Sequence, residues 1–384
     1  MKRLHIIHPI TVYEFHGKYY GNPISVAVYS EFTKYFSVVM HVNVQEIVSV
    51  DNELSEFSNK NIYFEDFFED LSFLDFLKKI IIYRNKLLAL PKNDIYFCSY
   101  PFKRIGYFLA FFLRKRNLVL WVRSDIAGVY RSNPFAIYGF SFKAIYRLII
   151  GRPRALAYEV LSKFLFRRKL IFYSANITVN KENHINQYEI ISCSPLNKNR
   201  SLISHSVSYS ICFVGGEGEQ KGLHILLKAL QTSYFKQKIT LHIIGIDKLY
   251  KKRNKNLMKE INVKFHGKIH QREKLFRIMA QNDILVMPSF GEKQGKVQLE
   301  AMSVGVVPIC SDSGGTYMTI KNFYNGLLFK PGDYKQLKEN IELLYSDNGL
   351  YKTLKENGLE YISILSMEKE IKKMSDVIRG HYLS

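Results

Sequence analysis

The stretch PSFGEKQGKVQLEAMSVGVVPICSDSGG, Pro288 to Gly315, decides how this chain folds. It reads as the end of a strand, a glycine-bearing loop, a helix, a second strand and a second glycine loop. In an open parallel sheet, ligands collect beyond the carboxyl ends of the strands, where loops lead into helix N-termini that favour negative charge. The loop from Glu292 to Lys296 lies at such a place. Gly295 permits close approach of backbone to ligand, and the first N–H groups of a helix starting near Lys296 suit a phosphate. Glu292 precedes that helix and Glu300 lies just over one turn inside it, so both carboxylates can face one cleft and accept hydrogen bonds from sugar hydroxyls. Spacing alone leaves a second reading open, in which Glu292 is a solvated loop residue and Glu300 an ordinary helix glutamate. Gly314-Gly315, taken alone, marks only a turn.

Outward from this stretch, apolar runs at Tyr209 to Val214, Ile239 to Gly245, Val263 to Gly267, Asp283 to Pro288 and Val306 to Asp312 read as strands. Helical segments separate most of them; in Lys221 to Leu230 the leucines 223, 226, 227 and 230 share one face. The first half repeats the alternation, with strands expected at Leu4 to Ile10, Phe36 to Val44, Asp94 to Tyr100 and Leu118 to Arg123. Such alternation predicts an α/β fold with parallel sheets, here two doubly wound domains. The polar segment Asn197 to Ser206 is the expected linker, dividing a first domain, 1–203, from a second, 204–365. Amphipathic helices are expected after Asp333 and from Met367 to Arg379, the latter within a terminal segment, 366–384.

The 384 residues, 47% of them apolar, are ample for two cores, and the formal charge of +21 draws the chain to polyanions or anionic surfaces. The cysteines, Cys98, Cys193, Cys212 and Cys310, lack metal or redox spacing and read as buried reduced thiols. The opening MKRLHIIHPITVYEFHG is too short and broken an apolar run for a signal peptide, and no stretch approaches the ~18 uncharged apolar residues that span a bilayer. A cytoplasmic protein is expected, with attachment to the inner face of the cell membrane still open.

Glu292 to Glu300, with Gly295 inside and Ala301-Met302 and Gly305 behind, resembles the E-x7-E signature of the retaining family 4 glycosyltransferases. Pro308, Gly314-Gly315 and the run GLLF-x-PGD, Gly326 to Asp333, follow at the family's places. Upstream, FVGGEGEQKG, Phe213 to Gly222, is similar to the family's strand-to-helix loop, and Lys221 falls on its diphosphate-contacting lysine. The resemblance is firm from Tyr209 to Leu344 and faint before it. It implies two Rossmann-like domains facing across a cleft, the GT-B architecture, with the last helix crossing back onto the first domain. It implies a nucleotide diphosphate sugar as co-substrate in the second domain, with no metal and no resident cofactor: Lys221 on the phosphates, Glu300 on the ribose and Glu292 near the transferred sugar. The donor-binding set it implies is Gly215, Gly216, Lys221, Glu292, Gly295, Lys296, Val297 and Glu300.

Three residues depart from the family pattern. Gly216 replaces an arginine usually paired with the lysine, Gln294 replaces an aromatic, and Met318 replaces a common glutamate. A leaving diphosphate develops negative charge, so a lost cation weakens its stabilisation unless another replaces it. Lys296 is the first candidate substitute and Lys293 the second.

No specific motif marks the first half. His8, with the loop around Gly17 and Gly21, is expected to end the first strand and face the acceptor; an ordinary strand-to-helix turn fits equally. The strand LVLWVRSD places Arg123, Ser124 and Asp125 at its carboxyl end, where an active-site residue or a helix N-cap is expected. Between Phe102 and Lys169, cations from Lys103 and Arg104 to Arg167, Arg168 and Lys169 face only Asp125 and Glu159. Apolar residues fill the gaps. The helix around Ile105 to Leu113 reads as a core helix, while Phe142 to Lys169 reads as an element lying on an anionic membrane surface.

The function expected is transfer of a hexose, with retention, to a saccharide acceptor, lipid-linked, during synthesis of a bacterial surface polysaccharide or lipopolysaccharide. A nucleotide-sugar epimerase of the same fold and a non-catalytic nucleic-acid-binding protein are the alternatives. The E-x7-E match argues against the first. No helix-turn-helix, zinc or RNA-binding signature supports the second, and no nucleic-acid partner is expected.

Overall fold

The structure, a computed structural model, describes residues 1–51, 54–68, 79–100, 111–122, 142–151, 153, 156, 160, 169–173, 187–189, 208–246, 258–292 and 295–383. By its contacts the chain divides into two units: Met1–Ile126 with Leu156–Pro195 and Met367–Ser384, and Ala127–Ala155 with Leu196–Ser366. The linker expected at 197–206 lies outside the described residues.

The second unit holds a six-stranded sheet of β10 (Ser210–Val214), β11 (Thr240–Ile244), β12 (Asn262–Gly267), β13 (Ile284–Met287), β14 (Val307–Ser311) and β15 (Leu327–Phe329). All neighbours are parallel, in the order β12-β11-β10-β13-β14-β15. Counted along the chain this is 3-2-1-4-5-6, the doubly wound order, whose winding reverses between β10 and β13. The central strands are buried on both faces: Phe213, Leu241, Ile243, Val286 and Ile309 on one, and Cys212, Leu285 and Cys310 on the other, are at or near zero exposure.

Helices α4 (Leu223–Gln231), α5 (Arg272–Met279), α6 (Lys296–Ser303), α7 (Tyr334–Ser346) and α8 (Asn348–Ile364) belong to this unit. The stripe Leu223, Leu226, Leu227 and Leu230 of α4 is buried as its spacing predicts. Each such leucine contributes roughly 1.5–3 kcal/mol relative to exposure. Asp333 caps α7, its side chain accepting from the backbone N–H of Lys335 and Gln336 at 3.0 Å. The short helix α3 (Phe142–Tyr146) and the π-helical turn Arg147–Gly151 precede this sheet in the chain.

The first unit holds a nine-stranded sheet. Its parallel strands β1 (Arg3–Phe15), β3 (Ser37–Glu46), β5 (Ile62–Asp66), β6 (Ile95–Tyr100), β7 (Asn117–Val122), β8 (Leu170–Tyr173) and β9 (Gln187–Glu189) run β5-β3-β1-β6-β7-β8-β9. The short strands β2 (Lys18–Gly21) and β4 (Ser55–Glu56) pair antiparallel on β1 and on β2. Helices α1 (Pro23–Phe32) and α2 (Ile80–Ala89) connect strands, and α9 (Met367–Tyr382) returns to this unit. Ile371, Met374 and Ile378 of α9 lie in its core, and the Tyr382 hydroxyl donates to the Leu118 carbonyl at 2.9 Å.

The first strand corrects the sequence reading. It does not stop at Ile10 but runs to Phe15, so His8 sits within it. Pro9, which lacks an N–H, lies inside the strand. The pairing with β3 shifts register between Ile7 and Thr11, an irregularity that lets a strand pass a proline. Beyond it, β1 turns at His16-Gly17, both at positive φ (49° and 74°), into β2. This is the two-residue hairpin geometry that favours glycine.

Candidate functional site

Three loops leave the carboxyl ends of β10, β13 and β14 and are tied together by main-chain bonds. The β10 loop begins with Gly215, whose N–H donates to the Ile244 carbonyl at 3.0 Å. It ends in a 3-10 turn, Glu219–Lys221, and then Gly222 at φ +70°. A Cβ on Gly222 would lie 2.0 Å from the Pro288 carbonyl oxygen, so this turn is pressed against the end of β13. The Phe290 N–H donates back to the Gln220 carbonyl at 2.9 Å. The β14 loop closes from the other side. Gly315 N–H donates to the Glu292 carbonyl at 2.9 Å, and a Cβ on Gly314, at φ +62°, would lie 1.9 Å from that same oxygen. The Ser311 and Ser313 hydroxyls both donate to the Ser289 carbonyl.

The side chains singled out from sequence stand on this block. Lys221 Nζ lies 3.1 Å from Glu292 Oε2, the two residues coming from the loops after β10 and β13 that flank the reversal in winding. The Lys221 stem passes over Gly215, where a Cβ would meet its Cγ at 3.5 Å. More than a third of the lysine side chain is exposed, while Glu292 is largely buried. Gly216 is exposed, and a Cβ there would meet nothing within 4 Å.

Gly295, at φ +79°, starts α6, and no side chain caps the helix. The N-terminus of α6 carries a partial positive charge, which suits an anion. Lys296 opens the helix, Val297 follows, and Glu300 lies one turn on. Glu300 Oε1 is 3.1 Å from Arg272 Nη2, at the start of α5. Burial pushes the Glu300 carboxyl up from its ordinary range, and Arg272 and then Lys296 pull it back. The site thus offers Lys221, Lys296 and a helix N-terminus to a diphosphate, and Glu292 and Glu300 to hydroxyl groups.

The other site residues named from sequence fall differently. Lys293, Gln294, Arg123 and Asp125 lie outside the described residues. His8 is buried in the first unit, its Nδ1 hydrogen-bonded to the Tyr29 hydroxyl. Gly17 occupies the β1-β2 turn, and Gly21 packs on Phe57, whose ring a Cβ would meet at 2.9 Å. Arg272 was not singled out from sequence. Its signal was a cation on the first residue of a helix, where the dipole disfavours positive charge.

Residues 199–361 match the family described as glycosyl transferases group 1. The match falls within the C-terminal unit. An uncharacterized glycosyltransferase of Methanocaldococcus jannaschii is 31% identical over 205 residues, 52% of this chain and 56% of that protein. An N,N'-diacetylbacillosaminyl-diphospho-undecaprenol alpha-1,3-N-acetylgalactosaminyltransferase of Campylobacter jejuni is 31% identical over 121 residues, 30% of this chain and 32% of that protein. The matches thus span about half or less of these relatives. Over the whole chain, sucrose-phosphate synthase from Thermosynechococcus elongatus superposes with a TM-score of 0.66 at 18% identity, covering 100% of both chains. Anabaena HepE in complex with UDP gives 0.64 at 14%, covering 99% of this chain and 100% of that one. These likenesses show the fold, the GT-B class of two Rossmann-like units. Within the group 1 domain, the E-x7-E segment comprises the β13 loop and α6, and the Lys221 loop follows β10.

Proposed function

We propose that the chain is a retaining, metal-independent hexosyltransferase. It moves a sugar from a nucleotide diphosphate sugar to a saccharide acceptor, lipid-linked, in synthesis of a bacterial surface polysaccharide or lipopolysaccharide. The observation that carries this reading is Lys221 set against Glu292 where the sheet of the group 1 domain reverses its winding. In the proposed complex the donor diphosphate takes Lys221 and the α6 N–H groups, while Glu300 accepts hydrogen bonds from the ribose. Glu292, released from Lys221, turns to the hydroxyls of the transferred sugar. As the glycosidic bond breaks, charge grows on the leaving diphosphate, where a fixed cation and oriented N–H groups stabilise it most. Asp125 is assigned to the acceptor side. The relative that names a diphospho-undecaprenol acceptor and the neighbour holding UDP support the substrate classes. The test offers UDP- and GDP-hexoses with EDTA, together with polyprenyl-diphosphate sugar acceptors. Transfer with the donor's anomeric configuration is expected. Transfer with inversion rejects retention, and epimerised donor without transfer points to the same-fold epimerase.

The proposal places the enzyme in the cytoplasm, on the inner face of the membrane. Phe142, Ile145, Tyr146, Ile149, Ile150 and Leu156 are all exposed at near-helical spacing. They stand among Lys143, Arg147, Arg152 and Arg154 in the chain. An apolar stripe with interleaved cations suits an anionic leaflet. Among the described residues no helix is long and apolar enough to cross a membrane. Sedimentation with phosphatidylglycerol vesicles but not phosphatidylcholine vesicles is expected, weakened by Phe142→Ser with Ile149→Ser. Equal sedimentation with both vesicle types contradicts the surface reading.

A further inference from the structure

We infer that Arg272 is a positioning residue of the donor site, holding the Glu300 carboxylate ionised and turned so that its free oxygen receives the ribose hydroxyls of the nucleotide. The inference rests on the donor-site reading above.

Arg272 is poorly placed for the stability of its own helix. It is the first residue of α5, where the partial positive charge of the helix N-terminus repels a cation, while Glu273 in the same turn has the sign that a helix start favours. Its guanidinium packs toward the Phe276 ring, one turn along, with the carbon 5.2 Å from the centroid. That stacking limits the directions in which the fork can reach. What it reaches is Glu300 Oε1, at 3.1 Å. Glu300 is 13% exposed at its side chain, low enough that water hydrates its charge poorly. The two described charges acting on it are Arg272 from α5 and Lys296 from the preceding turn of α6, and Arg272 is the stronger.

A glutamate that is to accept two hydroxyl hydrogen bonds must be ionised and must present an oxygen that is not already used. Arg272 supplies both conditions. It counters part of the burial that favours protonation, and by pairing with Oε1 it leaves Oε2 as the acceptor. The ion pair ties one carboxylate oxygen to a cation on a neighbouring helix. Lys296 stands on the same helix as Glu300, one turn before it, and adds a weaker charge.

The experiment titrates UDP and GDP into the full-length wild type, Arg272→Gln, Arg272→Lys and Glu300→Gln between pH 5.5 and 8.5, with thermal unfolding recorded for each. Wild-type affinity is expected to vary little with pH. Arg272→Gln is expected to lose roughly tenfold or more near pH 6, the scale of one charge-assisted hydrogen bond, and to recover as pH rises. The sign follows from removal of a cation: the Glu300 pKa climbs further, so the carboxylate is neutral at low pH and ionised again at high pH. Arg272→Lys is expected to restore most of the affinity. In Glu300→Gln there is nothing left to ionise, so adding Arg272→Gln should cost little more.

A loss in Arg272→Gln that is equal at every pH and not rescued by lysine would mean a merely structural role and overturn the inference. So would unchanged binding in Arg272→Gln. If the wild type binds neither nucleotide, the donor-site reading fails and this inference falls with it, an outcome distinct from the other two. Should Arg272→Gln unfold, the comparison of Arg272→Lys with wild type at pH 6 decides: affinity within a few-fold supports positioning by charge, and its complete loss contradicts it.

Discussion

In the C-terminal sheet the first strand, β10, stops at Val214 and hands over to a glycine loop that main-chain bonds tie to the end of β13. In the N-terminal sheet the first strand, β1, stays parallel to β6 only through Ile7, then runs on into a hairpin. Both sheets wind in the same order on either side of their first strand, and among the described residues the former sets a lysine against a carboxylate where its winding reverses. In the latter, the corresponding residue, His8, is buried against Tyr29. Doubly wound topology supplies the place for a ligand, and the local loop decides whether the place is used.

The largest expected effect breaks this contrast at its centre. Lys221→Ala should lower turnover about 10²- to 10³-fold, the scale of losing one preorganised charge at a developing anion. Lys296→Ala, the proposed replacement for the family's missing arginine, should cost turnover too, though less. Steady-state assay of the two variants side by side checks both. If Lys296→Ala left turnover intact while Lys221→Ala abolished it, compensation by Lys296 would be wrong.

A sharper test separates the two roles of Glu292. Because its carboxylate occupies Lys221 in the empty site, Glu292→Gln should reduce turnover and at the same time tighten sugar-free nucleoside diphosphate by a few-fold. Calorimetry with UDP or GDP reads the second effect, and weaker diphosphate binding in Glu292→Gln would contradict competition for the lysine. The smallest effect concerns Gly216. Its backbone is ordinary and a Cβ there meets nothing, so Gly216→Arg should fold as well as wild type. It should bind the diphosphate a few-fold more tightly by adding a cation beside Lys221, roughly 1 kcal/mol at a surface site. Unchanged affinity would mean that the β10 loop points that position away from the phosphates.

The second sheet was legible because its strands are short, apolar and regularly spaced, and because glycines that must adopt positive φ, such as Gly222, Gly295 and Gly314, stand out in sequence. The strand Leu327–Phe329 was visible only as part of a motif, being three residues long. The first sheet was read less well for specific reasons. The run past Ile10 mixes polar and aromatic residues, β2 and β4 are too short to show alternation, and α9 joins that unit from the far end of the chain. Within the site, Lys221, Glu292 and Glu300 could be named from their motif. Arg272 was not, because an ion pair between two helices leaves no spacing to find and a cation at a helix start names no partner. The buried thiols Cys98, Cys212 and Cys310 are free as their apolar settings predict, and Cys193 lies outside the described residues.

The central claim, that the C-terminal unit holds a nucleotide diphosphate without metal, is tested most directly by calorimetric titration. UDP, GDP and their common hexose conjugates would be titrated in EDTA into the wild type and Glu300→Ala. The account predicts that one nucleotide series binds the wild type and is lost in the variant. Binding of neither series at low salt, with tight salt-sensitive binding of oligonucleotides instead, would contradict it and leave the basic surface as the functional one.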